Sequence, residues 1–361
     1  MMRKNSAIRS YGFARRASAI FVPAWVILTL ACGSPPTELE EAPPEVRDVA
    51  GVIPLGLVGR IWPQDNPYSK EKAELGRLLF YDTRLSADNT ISCASCHHPD
   101  FGFTDGSPVS TGIRGQKGGR SAPTVINRAY SVEQFWDGRA PTLEAQAKGP
   151  MENPIEMGNT HEKVVATLKS IEGYRERFRQ VFGTGDFTID HVASAIATFE
   201  RTVISGNSAY DRYKAGDEGA LTEAARRGMD LFFDKVKCNQ CHFGINFTDG
   251  SFTNLGVGMD QRSPDLGRYV ITKRASDRGA FKAPTLRDVA RTAPYMHDGS
   301  LKTLEEVVEL YDKGGNPNEH LDKRVKPLNL TDQEKSDLVE FLKSLNGEGW
   351  QHAQPPQSFP T

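Results

Sequence analysis

Hydrophobic positions along this chain recur mostly at helical spacing. Between Thr188 and Ser205, the side chains of Ile189, Val192, Ala193, Ile196, Phe199 and Val203 share one face, which predicts an amphipathic helix. A second helix is predicted over Thr331–Leu345. It opens on a Thr331 cap with Glu334 three residues later, the spacing at which each side chain accepts from the other residue's backbone N–H. Alternating strand patterns are scarce, and long stretches rich in Gly and Pro join the helices. The expected fold class is mostly α, with long loops. At the front, the apolar run from Ala17 to Ala31 is too short to span a bilayer and follows a basic segment, so residues 1–31 read as a signal peptide. Residues 32–51, rich in Glu and Pro, read as a tether, and 347–361, with Pro355, Pro356 and Pro360, as a flexible tail.

The region between is duplicated. Gly76-Arg77-Leu78-Leu79-Phe80-Tyr81-Asp82 returns as Gly228-Met229-Asp230-Leu231-Phe232-Phe233-Asp234. Ala122-Pro123-Thr124-Val125 returns as Ala283-Pro284-Thr285-Leu286, an offset of 161. Asp137-Gly138 with Thr142-Leu143-Glu144 returns as Asp298-Gly299 with Thr303-Leu304-Glu305, again 161 residues on. Blocks in one order, two of them at a constant offset, predict two tandem domains, placed at 52–215 and 216–346.

Each half carries a Cys-x-x-Cys-His motif, Cys93–His97 and Cys238–His242. This is the attachment signature of c-type haem: two cysteines bind the porphyrin and the next residue offers an imidazole to iron. Disulfides are a poor alternative, because a His follows both pairs. A zinc site built from the four cysteines would leave both histidines unexplained. The expected cofactors are two covalently bound c-type haems, in two cytochrome c-type domains of the small helical kind.

The remaining cysteine, Cys32, follows Leu28-Thr29-Leu30-Ala31, which resembles a bacterial lipobox. The expectation is a periplasmic protein, lipidated at Cys32 and anchored to the outer membrane. The chain carries a formal charge of −2, and its first 31 residues hold five basic residues and no acid, so the remainder is more acidic still. That balance argues against nucleic acid as a partner.

The repeat also makes the two irons unequal. Tyr311 lies thirteen residues after Asp298, and Pro150 lies thirteen residues after Asp137. If the halves superpose, a phenol faces the second iron where the first faces a proline, which has no ligating group. The rival ligand to Tyr311 is Met296. A buried phenol bonded to backbone is the third reading of Tyr311.

In order, these motifs, together with Trp136-Asp137-Gly138-Arg139, Gly149-Pro150, Asn153-Pro154, Glu156-Met157 and Pro294-Tyr295-Met296-His297-Asp298-Gly299, resemble the bacterial dihaem cytochrome c peroxidase/MauG family over about residues 52–346. The resemblance implies an N-terminal peroxidatic haem and a C-terminal electron-transfer haem. It implies a Trp between them, matched by Trp136, and a distal Gln and Glu, matched by Gln146 and Glu156. It implies calcium between the haems, at positions matched by Thr292, Pro294 and, where the family has Asn, Ser121. Two departures stand out. Ile113 occupies the place of a distal His that blocks the peroxidatic iron until the other haem is reduced. Tyr311 stands where the peroxidases have Met, as in the MauG arrangement.

The reading that follows is a peroxidase that reduces hydrogen peroxide at the first haem, with Glu156 as base, Gln146 orienting the peroxide and Trp136 relaying electrons. Its electrons would come from a small c-type cytochrome or a cupredoxin. A MauG-like oxidase that modifies a protein or small substrate through high-valent haems is the second reading, and a homodimer is compatible with either. The place of MauG's surface Trp is Val236 here. A dihaem electron carrier without chemistry of its own is the third, and Pro150 and Ile113 argue against it.

Overall fold

The computed structural model describes residues 46–361, so the signal peptide, Cys32 and most of the tether lie outside the described residues. Eleven α-helices are described: α1 Lys70–Tyr81, α2 Cys93–Cys96, α3 Leu143–Glu152, α4 His161–Lys169, α5 Glu172–Phe182, α6 Ile189–Glu200, α7 Ala209–Lys214, α8 Glu223–Asp230, α9 Tyr269–Thr272, α10 Leu304–Asp312 and α11 Asp332–Lys343. Among the described residues, strands are limited to two antiparallel pairs, β1 Arg47–Asp48 with β2 Gly51–Val52, and β3 Phe252–Thr253 with β4 Phe281–Lys282. No described helix is long and apolar enough to cross a membrane. The end of the tether is ordered: β1 belongs to it, and Asp48 forms a bidentate ion pair with Arg60.

The duplication is visible in the helix crossings. α1 lies against α6, and α8 against α11. At Gly76 a Cβ would stand 1.9 Å from the Ala195 carbonyl oxygen and 2.9 Å from Phe199 Cβ. At Gly228 a Cβ would stand 1.9 Å from the Asp337 carbonyl oxygen and 2.9 Å from Phe341 Cβ. The same close approach, met by the same glycine, occurs once per half. The sequence places the α6 face correctly, but the helix ends at Glu200 and Val203 is buried beyond it. Thr331 and Glu334 form the expected reciprocal cap on α11.

Each half has its own core. Leu75, Leu79, Phe80, Phe103, Ile196 and Phe199 centre the first, and Phe232, Phe247, Leu338 and Phe341 the second. The tail expected to be flexible is instead packed on the first half. Trp350 and Ala353 are buried in that core, and Trp350 meets Phe103 edge-on at 5.9 Å. Tyr81 donates to the Ala353 carbonyl at 2.7 Å, and the Gly173 N–H donates to the Thr361 carbonyl at 3.0 Å. Its prolines limit helix, not packing.

The halves meet across a pseudo-two-fold seam. Ser121 and Lys282 are equivalent under the 161 offset, as are Trp136 and His297. The Ser121 N–H donates to the His297 carbonyl at 2.8 Å, and the Lys282 N–H donates to the Trp136 carbonyl at 2.8 Å. Each half thus closes the other's Asp-Gly turn.

Candidate functional site: two unequal haem cavities

Both histidines of the Cys-x-x-Cys-His motifs are held in the same way. His97 Nδ1 lies 3.2 Å from the Phe103 carbonyl oxygen, and His242 Nδ1 lies 3.0 Å from that of Phe247. Both phenylalanines adopt positive φ, 60° and 49°, which turns their carbonyls toward the rings. A carbonyl partner fixes Nδ1 as the protonated nitrogen and leaves Nε2 as the iron-binding atom. Burial, the leading cause, pushes both imidazoles below their usual range, so both are neutral. The four motif cysteines are free thiols rather than disulfides. Burial raises the Cys96 thiol to about 11, opposed by its hydrogen bond with Ser110.

A cavity in the first half is bordered by Cys96 and His97. A second cavity is bordered by Cys238, Cys241 and His242. Two mostly apolar cavities, one bordered by Cys96 and His97 with Cys93 close by in sequence, the other by Cys238, Cys241 and His242, fit a thioether-bound haem in each.

The opposite walls differ. In the first cavity, Leu143, Gln146 and Pro150 of α3 share a face and line the space, with Glu156 beyond the helix end. Gln146 makes no side-chain hydrogen bond to a described residue and is free to hold a ligand. Glu156 accepts from the Asn153 amide at 2.6 Å. Burial raises its carboxyl, opposed by Arg139 and by that hydrogen bond. His97 is the one imidazole in this lining, and no Met or Tyr joins it among the described residues. In the second cavity, α10 presents Tyr311 at the position equivalent to Pro150, and Met296 lines the same space. The phenol makes no hydrogen bond to a described residue, so the backbone-bonded reading of Tyr311 does not hold. Burial is the main cause that pushes its proton affinity up, with Cys238 and Cys241 adding to it. Tyr311 and the attachment cysteines line the same cavity.

Trp136 borders both cavities. Its Nε1 donates to the Ser121 carbonyl at 2.9 Å, and its own carbonyl accepts from Lys282. Ser121, Thr292 and Pro294 all border the second cavity. Ile113 is placed differently from expectation. Its side chain is buried toward Gly158, its N–H donates to the Glu156 carbonyl at 2.9 Å, and Gly112 borders the cavity instead. His297 stacks on Phe281 at 3.6 Å and 11°, a packing role rather than a ligand's.

Sequence reasoning missed several lining residues. Arg128 borders both cavities, Glu200 the first and Lys282 the second. Val270 and Ile271 reach from α9, in the second half, to the first cavity's mouth and stay exposed. The repeat carried a signal for two of these. Arg128 aligns with Val289, and Glu200 with Leu342 through the Gly76 and Gly228 crossings. A charge in one half where the other has an aliphatic residue marks a difference in chemistry.

Two tandem cytochrome c-type domains, each with its own haem cavity, define a di-haem c-type oxidoreductase. The chain matches the family model described as di-haem cytochrome c peroxidase over residues 70–219 and that described as cytochrome c over 225–346. It is 42% identical over 289 residues to the methylamine utilization protein MauG of Methylorubrum extorquens, covering 79% of this chain and 81% of the relative. It is 41% identical over 284 residues to the cytochrome c551 peroxidase of Nitrosomonas europaea, covering 78% and 82%. A crystal structure of a MauG-like protein associated with microbial copper homeostasis superposes with a TM-score of 0.75 at 37% identity, over 82% of this chain and 95% of that one. The protein belongs to the di-haem cytochrome c peroxidase/MauG family and carries two c-type haems.

Proposed function

We propose that the protein reduces hydrogen peroxide in the first cavity and exchanges electrons with the second haem across Trp136. The observation that carries this reading is the contrast between the cavity walls: Pro150, Gln146 and Glu156 in the first, Tyr311 and Met296 in the second. The first haem, when bound, supplies an open iron and the electrons for O–O cleavage. Glu156 takes a proton from one peroxide oxygen and returns it to the departing oxygen, so that two electrons and two protons yield two waters. Its raised proton affinity suits both steps. The Gln146 amide orients the peroxide, and Pro150 leaves room for it. Steady-state peroxide assays test this directly: turnover without prior reduction supports it, and no turnover in either redox state contradicts it.

The electron donor is a small c-type cytochrome or a cupredoxin. One observation favours a second reading. Tyr311 as an anionic ligand stabilises ferric and higher states of the second haem. That suits a MauG-like oxidase acting on a protein or small molecule, with the second haem sharing oxidising equivalents. Calcium is proposed at the seam. Ser121, Thr292 and Pro294 offer oxygens from both halves to one wall, and water completes the six or more ligands calcium takes. These donors are neutral, so the ion is expected to be readily removed by chelator. A periplasmic location with a lipid on Cys32 is proposed from the Leu28–Gly33 segment.

A further inference from the structure

Two buried basic side chains, Arg128 and Lys282, border the cavities, and no acid among the described residues forms an ion pair with either. Arg128 Nε and Nη2 both donate to the neutral Gln134 amide oxygen, at 2.9 and 2.6 Å, and Nη1 is left without a described partner. Lys282 Nζ donates to the Glu133 carbonyl. The nearby acids are engaged elsewhere. Asp137 pairs with Arg120 and Arg139, and Glu133 with Arg268. Glu200 borders the first cavity, but burial raises its carboxyl to about 8, so it is mostly protonated at neutral pH. Its Oε2 has no hydrogen-bond partner among the described residues. Burial pulls Arg128 down to about 10 and Lys282 to about 6, with Arg128 adding to the lowering at Lys282, so the lysine holds its charge at neutral pH only beside an anion. Unpaired buried cations are costly, and native structures pair them. The partner that both side chains lack is an anion inside the cavities they border.

We propose that Lys282 and Arg128 anchor haem propionates at the seam, Lys282 pairing with a propionate of the second haem and Arg128, through Nη1, with one of the first. Each haem brings two carboxylates into a cavity these cations border. The arrangement departs from the pseudo-two-fold: Lys282 occupies the seam position that Ser121 holds in the other half, so the first half draws its cation from Arg128 instead. Both anchors flank Trp136, which brings the propionate edges of the two haems to the residue between them. The inference rests on the two-haem reading and not on peroxide chemistry, so it stands or falls whichever substrate is turned over.

The test is a spectroelectrochemical titration of the di-haem protein. Removing a positive charge beside a haem favours its ferric state. Lys282→Met is expected to shift the second haem's redox equilibrium tenfold or more toward ferric, a fall of about 59 mV for one electron, with a smaller effect on the first. Arg128→Leu is expected to do the same to the first haem. Potentials unchanged in both variants would overturn the proposal. Lys282→Arg keeps the charge and covers the case in which Lys282→Met fails to load haem. Replacing an ammonium with a guanidinium changes the contact, so the propionate-bending bands in resonance Raman should shift. Bands identical to the parent protein would also overturn it, because a merely structural lysine leaves them in place.

Discussion

At Glu156, burial raises the carboxyl while Arg139 and the Asn153 amide hold it down. The net shift is upward, and the sign sets the pH profile. As a base, Glu156 must be ionised, so kcat/KM for peroxide should fall as pH drops through a value above the ordinary 4.5. Glu156→Gln should slow turnover by about 10²-fold or more and remove that acid limb; wild-type rates would exclude Glu156 from the chemistry. At Tyr311, substitution by Phe should alter the low-spin signal of the second haem, and an unaltered spectrum would transfer the ligand role to Met296. Trp136, Gln146 and Glu156 were candidates in the sequence through the family resemblance, and all three border the first cavity. Arg128, Glu200 and Lys282 were missed, because a charged residue in a linear pattern reads as solvated surface, and the aliphatic counterparts of the first two in the repeat were the one signal against that reading. Only the fold reveals that these three are buried against a cavity.

The helix crossings carry their own predictions. Gly76→Ala would press a Cβ into the Ala195 carbonyl and force α1 from α6. The expected cost is about 1–3 kcal/mol, read as a lower Tm of the first half; an unchanged Tm would mean the helices separate freely. Trp350→Ala should destabilise by about 3–5 kcal/mol, because Trp350 fills the first core beside Phe103. A loss below 0.5 kcal/mol, the range of ordinary surface changes, would return the tail to a peripheral role. The α6 and α11 helices were readable from periodicity and caps, which act over a few residues. The packed tail was not, since Pro-rich composition reports what a segment cannot form and says nothing of the gap that Trp350 and Ala353 fill.

Over the whole molecule, duplication supplies two equal frames, and substitutions within them make the sites unequal. The frames are the glycine crossings, the Phe103 and Phe247 carbonyls behind the histidines, and the exchanged hydrogen bonds at the seam. The differences are Pro150 against Tyr311, Glu200 against Leu342, and Ser121 against Lys282. Internal comparison exposed the first of these from sequence alone, because the 161 offset aligns α3 with α10. With His97 the one imidazole in the lining of the first cavity, peroxide turnover should need no prior reduction of the second haem. The central claim is that one iron is open and the other closed, and electron paramagnetic resonance of the resting ferric protein measures it most directly. One high-spin and one low-spin haem in equal amounts is the predicted result; two low-spin haems would contradict it.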